Sequence, residues 1–295
     1  MGDTGRKTLF LGATALLVVV IIVISAVMLA RGPRTSSVEL LEKDGNTAKV
    51  NDMYEGDMTI PYYDIRTSNY NPEDFEEKNG VVTYAGDSFV GINVSQKAGE
   101  IDWNAVAESG VEFAMIRVGY RGNDKGRISL DSNFEANITG ATEAGLPVGV
   151  YFYSKAVTDT EAEEEANFVL EQIRPYQMTY PVAIFWEYDR KDSGEVDEKS
   201  RTVRCNGDQV TGFIQTFLKK IKTVGYKTAF YADKKMGYES LDLSRLTDHD
   251  MWYAEYQPAP SFYYDYKMWQ YTKDGEVPGI SKPVPITISL KEYKP

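Results

Sequence analysis

Short apolar runs alternate with amphipathic stretches from Phe89 onward, and that alternation predicts the elements. The run Phe89-Val-Gly-Ile-Asn-Val-Ser95 predicts a first strand, and Ile101 to Gly110 has helical spacing ended by a glycine. Phe113–Gly119 predicts a second strand, Asn133–Ala144 an amphipathic helix stopped by Gly145, and Pro147–Ser154 a third strand. Thr160–Ile173 reads as a helix that begins in acids, where the helix dipole favours them. Tyr180-Pro-Val-Ala-Ile-Phe-Trp-Glu-Tyr-Asp189 predicts a buried fourth strand that opens on a proline and closes on two carboxylates. Gln209–Val224 is a further helix ending at Gly225, and Lys227–Tyr231 a fifth strand. Asp250–Ala254, Tyr266–Tyr271 and Val284–Leu290 predict strands six to eight, with little room for helices between them. Eight strands alternating with helices over the first five predict an α/β fold: a distorted TIM-like barrel with an incomplete helix ring.

Upstream the pattern changes. Leu9 to Ala30 contain no charged side chain, a length that crosses a bilayer core of roughly 30 Å as one transmembrane helix. A cleaved signal peptide has a shorter apolar core and a small-residue cleavage site, so this span reads as a signal anchor. Arg6 and Lys7 before it nearly balance Arg31 and Arg34 after it. The short N-terminal tail and the large acidic bulk behind the span favour a cytoplasmic N-terminus. The expected organisation is a tail over 1–8, an anchor over 9–30, a polar extracytoplasmic stem over 31–88 and the barrel domain over 89–295. Within the stem, Met58–Tyr63 and Val81–Tyr84 have the aromatic and β-branched content of extended pieces that pack on a surface.

Composition removes several chemistries. With one cysteine, Cys205, and one histidine, His249, an intrachain disulfide, a histidine-rich metal site and a Ser-His-Asp triad drop out. Asp233, Asp242, Asp248 and Asp250 lack calcium-loop spacing, so neither metal nor cofactor is expected. A formal charge of −12 with no basic stripe argues against nucleic acid. Asn93-Val-Ser95 and Asn137-Ile-Thr139 match the glycosylation sequon, a pattern frequent by chance.

The fourth strand carries the candidate chemistry. Glu187 and Asp189, two apart, lie on one side of an extended strand, and barrel sites form where strands end. Two readings stay open at this point: the acids line a polar cleft, or Glu187 only terminates the strand.

The motifs Gly91-Ile-Asn-Val-Ser-Gln, Ile101-Asp-Trp, Ile116-Arg-Val-Gly-Tyr-Arg-Gly122, Gly145–Ser154, Tyr180-Pro-Val, Trp252-Tyr-Ala-Glu-Tyr256 and Trp269-Gln-Tyr-Thr272 resemble glycoside hydrolase family 25. These are muramidases of the Chalaropsis type, acting on the β-1,4 bond after N-acetylmuramic acid in peptidoglycan. The resemblance runs in order from about Gly91 to Leu290 and implies a barrel with a groove at the strand C-termini. It also implies lost acids: the family's first-strand aspartate is here Asn93, the Asp-x-Glu of the fourth strand is Phe185-Trp186-Glu187, and a last-strand aspartate falls on Pro285. Glu187 is the remaining candidate acid, and Asp189, Glu255 or a substrate acetamide is a substitute for the second group. Arg117, Tyr120, Tyr151, Tyr153, Tyr231, Trp252, Tyr256, Trp269 and Gln270 stand at or near strand ends, where rings with polar tips suit sugars. About half of them are expected to be packing alone.

Three functions follow as alternatives. The first is a membrane-anchored domain outside a Gram-positive-like cell that binds the peptidoglycan glycan strand with lost or strongly reduced hydrolysis. The second is an active muramidase with Glu187 as acid and a rearranged second group. The third is a cell-envelope scaffold recruiting a wall-synthesis protein.

Overall fold

The computed structural model describes residues 36–191 and 193–294. The expected anchor over 9–30 lies outside the described residues, among which no helix is long and apolar enough to cross a membrane. The first elements belong to the stretch expected to be a polar stem. Strands β1 (Val38–Asp44), β2 (Thr47–Asp52) and β3 (Gly56–Pro61) form an antiparallel sheet. Strands β4 (Phe75–Lys78) and β5 (Val81–Tyr84) form a hairpin. Its turn is Asn79-Gly80, both with positive φ, the backbone twist that matches a two-residue hairpin.

The barrel follows: β6 (Phe89–Val94), α1 (Trp103–Glu108), β7 (Phe113–Arg121), β8 (Ile128–Leu130), α2 (Phe134–Glu143), β9 (Val148–Ser154), α3 (Asp159–Ile173), β10 (Val182–Trp186), α4 (Gly207–Thr223), β11 (Thr228–Asp233), β12 (Asp250–Ala254), β13 (Met268–Gly275) and β14 (Val284–Ser289). Around the ring the order is β6-β14-β13-β12-β11-β10-β9-β7, and β6 pairs with β7 to close it. The pairings from β6 through β7 and β9 to β13 are parallel, whereas β14 runs antiparallel to both β13 and β6. The eight expected strands are the eight of the barrel. Short β8, which the sequence pattern did not suggest, pairs only with β7.

Local chemistry places the helices. Thr158 caps α3 by accepting from the Glu161 N–H, and Asn206 with Gln209 forms a complete capping box on α4. Among the described residues no α-helix lies between β11 and β14. N-terminal side chains cover that side of the barrel instead. Phe75 meets the outward Trp269 edge-on at 5.3 Å between centroids, Tyr70 lies 5.1 Å from Tyr266, and Tyr63 lies 5.7 Å from Tyr264. The Tyr70 hydroxyl donates to the Tyr266 carbonyl, and Lys234, just after β11, pairs with buried Asp52 of β2 at 2.9 Å. Residues 37 onward thus form one compact unit.

Inside the barrel the filling is aromatic. Phe113, Met115, Tyr180, Phe185, Tyr231, Trp252 and Met268 form one cluster, with Phe113 stacked on Tyr180 at 4.0 Å. A Cβ on Gly91 would meet the Phe113 ring at 2.3 Å, so glycine there is what admits the ring.

Candidate active site

The candidate site is built where β6, β9, β10, β11, β12, β13 and β14 present inward side chains. On β6 this is Asn93, 4% exposed. Its amide donates to Gln270 Oε1 at 2.7 Å and to Thr287 Oγ1 at 3.2 Å, and the Thr287 hydroxyl can return a bond to Asn93 Oδ1 at 3.2 Å. Gln270 Nε2 in turn donates to the Tyr256 hydroxyl at 2.9 Å and more weakly to Tyr231 at 3.4 Å. Trp252 Nε1 donates to Thr287 Oγ1 at 3.2 Å. The network is neutral throughout, and Asn93, Gln270 and Thr287 are all buried.

On β10 the inward residue is Phe185, 8% exposed. Its ring stacks on Tyr231 at 4.0 Å and on Tyr151 at 4.5 Å, and Trp252 meets it edge-on at 4.8 Å. Four aromatic rings therefore close the barrel directly beneath the groove.

β10 stops at Trp186, so Glu187 and Asp189 stand on irregular chain rather than on one face of a strand. The expected strand therefore does not extend to either acid. Asp189 is held by Lys155 Nζ at 2.6 Å and by the Ser200 hydroxyl at 2.6 Å, and Lys155 also donates to the Glu187 carbonyl. Glu187 stays half-buried, and no described residue hydrogen-bonds or ion-pairs with its carboxyl. Burial pushes that carboxyl up to about 7, Asp233 adds to the rise, and Lys155 and Arg190 oppose it.

Other expected residues fall into three groups. Arg117, Tyr120, Tyr151, Tyr153, Tyr231 and Tyr256 come together around the groove. Arg117 is fixed by Asp131 at 2.7 Å and lies over the Tyr120 ring, and Tyr256 is the most open of these, 50% exposed. Trp252 and Gln270 form part of the floor. Trp269 is not brought to the groove: it is fully buried on the outer face of β13 and donates to the Glu255 carbonyl. Strand alternation explains this, since Gln270 faces in and its neighbour must face out. Glu255 also turns outward, to Lys234 at 3.0 Å and to Ser261. Both sequon asparagines, Asn93 and Asn137, are buried.

Sequence reasoning missed three residues. Thr287, two beyond Pro285 on the same face of β14, is the group that meets Asn93. Lys155, directly after the third apolar run, pairs with Asp189 at 2.6 Å. Asp233 shares the inward phase of Tyr231 at the end of β11, a period-two signal that was available.

The closed barrel thus brings a half-buried carboxyl and a cluster of aromatic rings to the C-terminal ends of its strands. The model of the family "Glycosyl hydrolases family 25" matches residues 92–280, more than half of the chain, and the chain belongs to that family. The autolytic lysozyme of Clostridium acetobutylicum is 28% identical over 192 residues, covering 65% of this chain and 52% of the relative. The chain thus spans about half the length of the curated relative it matches.

Among solved structures, the modular autolysin LytC from Streptococcus pneumoniae has a TM-score of 0.60 at 21% identity, covering 85% of this chain and 57% of its own. LytC in complex with a synthetic peptidoglycan ligand has a TM-score of 0.56 at the same 21% identity, covering 85% of this chain and 57% of its own. A family 25 glycosyl hydrolase from Bacillus anthracis has a TM-score of 0.58 at 18% identity, covering 74% of this chain and 93% of its own. At these identities the likeness shows the fold.

Proposed function

We propose that the chain is a membrane-anchored, extracytoplasmic cell-wall protein whose lysozyme-like groove binds the peptidoglycan glycan strand with little or no hydrolysis. The observation that carries this reading is the neutral floor: Asn93 bonds to both Gln270 and Thr287, and Phe185 fills the barrel beside them. Glycoside hydrolysis needs one carboxyl to protonate the leaving oxygen and a second group to stabilise the positive anomeric carbon. Glu187 has the raised proton affinity of a general acid. A neutral amide and a hydrocarbon ring in the remaining places give no negative charge to meet the developing cation, and losing even one preorganised group costs about 10²–10³ in rate. The aromatic and polar rim, including Tyr120, Tyr153 and Tyr256, suits the apolar faces and hydroxyls of saccharides.

The test is incubation of the full-length chain, in detergent, with purified peptidoglycan. Sedimentation with the sacculi without release of soluble muropeptides is the expected result. Abundant release that disappears in Glu187→Gln would establish the second reading, a working muramidase, which the proton affinity of Glu187 favours. For the anchor, Leu9 to Ala30 is proposed to span the membrane with the barrel outside, and protease added to intact cells should then remove the barrel.

A further inference from the structure

Glu187, Tyr188 and Asp189 follow β10 on irregular backbone, where no strand pairing sets the direction of a side chain. Whatever holds that backbone therefore sets where the Glu187 carboxyl stands. The group that holds it is Lys155, the residue directly after β9, which is the parallel neighbour of β10. Lys155 is 2% exposed, and its ammonium makes two bonds of 2.6 Å, one to the Glu187 carbonyl and one to the Asp189 carboxylate. It also lies over the Tyr153 ring at 5.0 Å.

A buried ammonium has to be paired, and Asp189 does that. The further bond, to a carbonyl two residues away, turns the pair into a clamp on both sides of Tyr188. Tyr188 is tied as well: its hydroxyl donates to the Cys205 carbonyl at 2.7 Å, and its ring meets Trp186 edge-on at 4.9 Å. The second oxygen of Asp189 accepts from Ser200 at 2.6 Å, and the Asp189 carbonyl accepts the Asp197 N–H at 2.8 Å. The Ser200 hydroxyl and the Arg201 N–H in turn donate to Asn123 Oδ1, in the connection between β7 and β8. The backbone of 187–189 is thus fixed from three directions, while the Glu187 carboxyl itself has no hydrogen bond or ion pair among the described residues.

We infer that Lys155 is a positioning residue: with Asp189 as its counter-ion it fixes the segment 187–189, so that the otherwise unbonded Glu187 carboxyl is presented to a bound glycan. The role rests on the reading of the groove as a glycan site; the clamp itself does not. Asp189 then belongs to the support of Glu187 and is not a second acid.

The experiment is a double-mutant cycle on the full-length chain in detergent, reading the dissociation constant for amidase-released glycan strands. Thermal unfolding of every variant ensures that binding is compared well below each transition. Glu187→Ala removes the carboxyl and keeps the carbonyl, and Lys155→Met removes the ammonium and keeps the apolar stem. Each should weaken strand binding about tenfold, and the double variant should bind no more weakly than either alone, because the support has nothing left to present. Losses that multiply to about a hundredfold, or native affinity in either single variant, would overturn the role. If Lys155→Met does not fold, Asp189→Ala, at a carboxylate 27% exposed, takes its place in the cycle with the same two outcomes. A native chain that binds no strand overturns the glycan reading, and hydrogen exchange then decides the clamp. The Asp197 amide, bonded to the Asp189 carbonyl, should exchange about tenfold faster in the Lys155 or Asp189 variant while the β10 amides keep their protection. An unchanged Asp197 amide would overturn the clamp.

Discussion

The Asn93 amide donates to the Gln270 side-chain carbonyl at 2.7 Å, across 177 positions of sequence, where the family resemblance leads one to expect an acid. An aspartate there has no proton to give either Gln270 or Thr287. Asn93→Asp should therefore lower stability at pH 7 by about 2–4 kcal/mol, through a buried charge set against the Gln270 side-chain carbonyl. Burial raises the carboxyl's folded pKa, so the deficit should shrink as pH falls and the proton is regained. Urea unfolding of native and variant chains at pH 7 and pH 4.5 measures both.

Phe185 is stacked from both sides, so truncating it leaves a hole lined by Tyr151, Tyr231 and Trp252. Phe185→Ala should cost about 3–5 kcal/mol. Phe185→Asp, the change that rebuilds the family's acid, should cost at least as much. Thermal unfolding of both decides whether a restored enzyme can be made without first stabilising the barrel.

The Glu187 carboxyl binds its proton more tightly in the folded chain, near 7, than in the unfolded one, near 4.5. The stability it contributes is fully present below pH 4.5 and is lost as pH rises through 7. Glu187→Gln should remove that slope, leaving the variant about 1–3 kcal/mol more stable than native at pH 8.5 and nearly equal at pH 4. Equal slopes of stability against pH in the two proteins would contradict this.

Lys234 gathers Asp52 at 2.9 Å, Glu55 at 3.0 Å and Glu255 at 3.0 Å, joining β2 to the end of β11 and the segment after β12. Lys234→Met leaves the Asp52 carboxylate buried without its cation and should cost about 3–5 kcal/mol. Adding Asp52→Asn should restore part of the loss, which a double-mutant cycle in urea would show.

The barrel was legible because its strands are bounded apolar runs, and a run of that kind has few other uses in a chain of this length. The groove was less so. Period-two alternation stops at Trp186, where the chain leaves the sheet, so it places neither Glu187 nor Asp189, and Asp189 pairs with Lys155, distant in sequence. The same alternation, applied to Trp269 and Gln270, would have sent the tryptophan outward; the motif drew attention to both alike. The stretch 37–88 looked like a polar stem because its aromatic residues, Tyr63, Tyr70 and Phe75, are dispersed among acids. Their partners lie about 200 positions away, on an outer face that lacks helices and shows no pattern in the local sequence.

Closure by β14 has a practical corollary for anyone handling the domain. The segment matched by the family ends at 280, yet the strand that joins β13 to β6 runs from Val284 to Ser289. A fragment trimmed to the limits of family similarity would be an open sheet whose exposed borders offer unpaired N–H and C=O groups to other copies, with outward aromatic residues stripped of the N-terminal cover. Such a fragment should aggregate, and its failure to bind or cut anything would report on the trimming rather than on the groove.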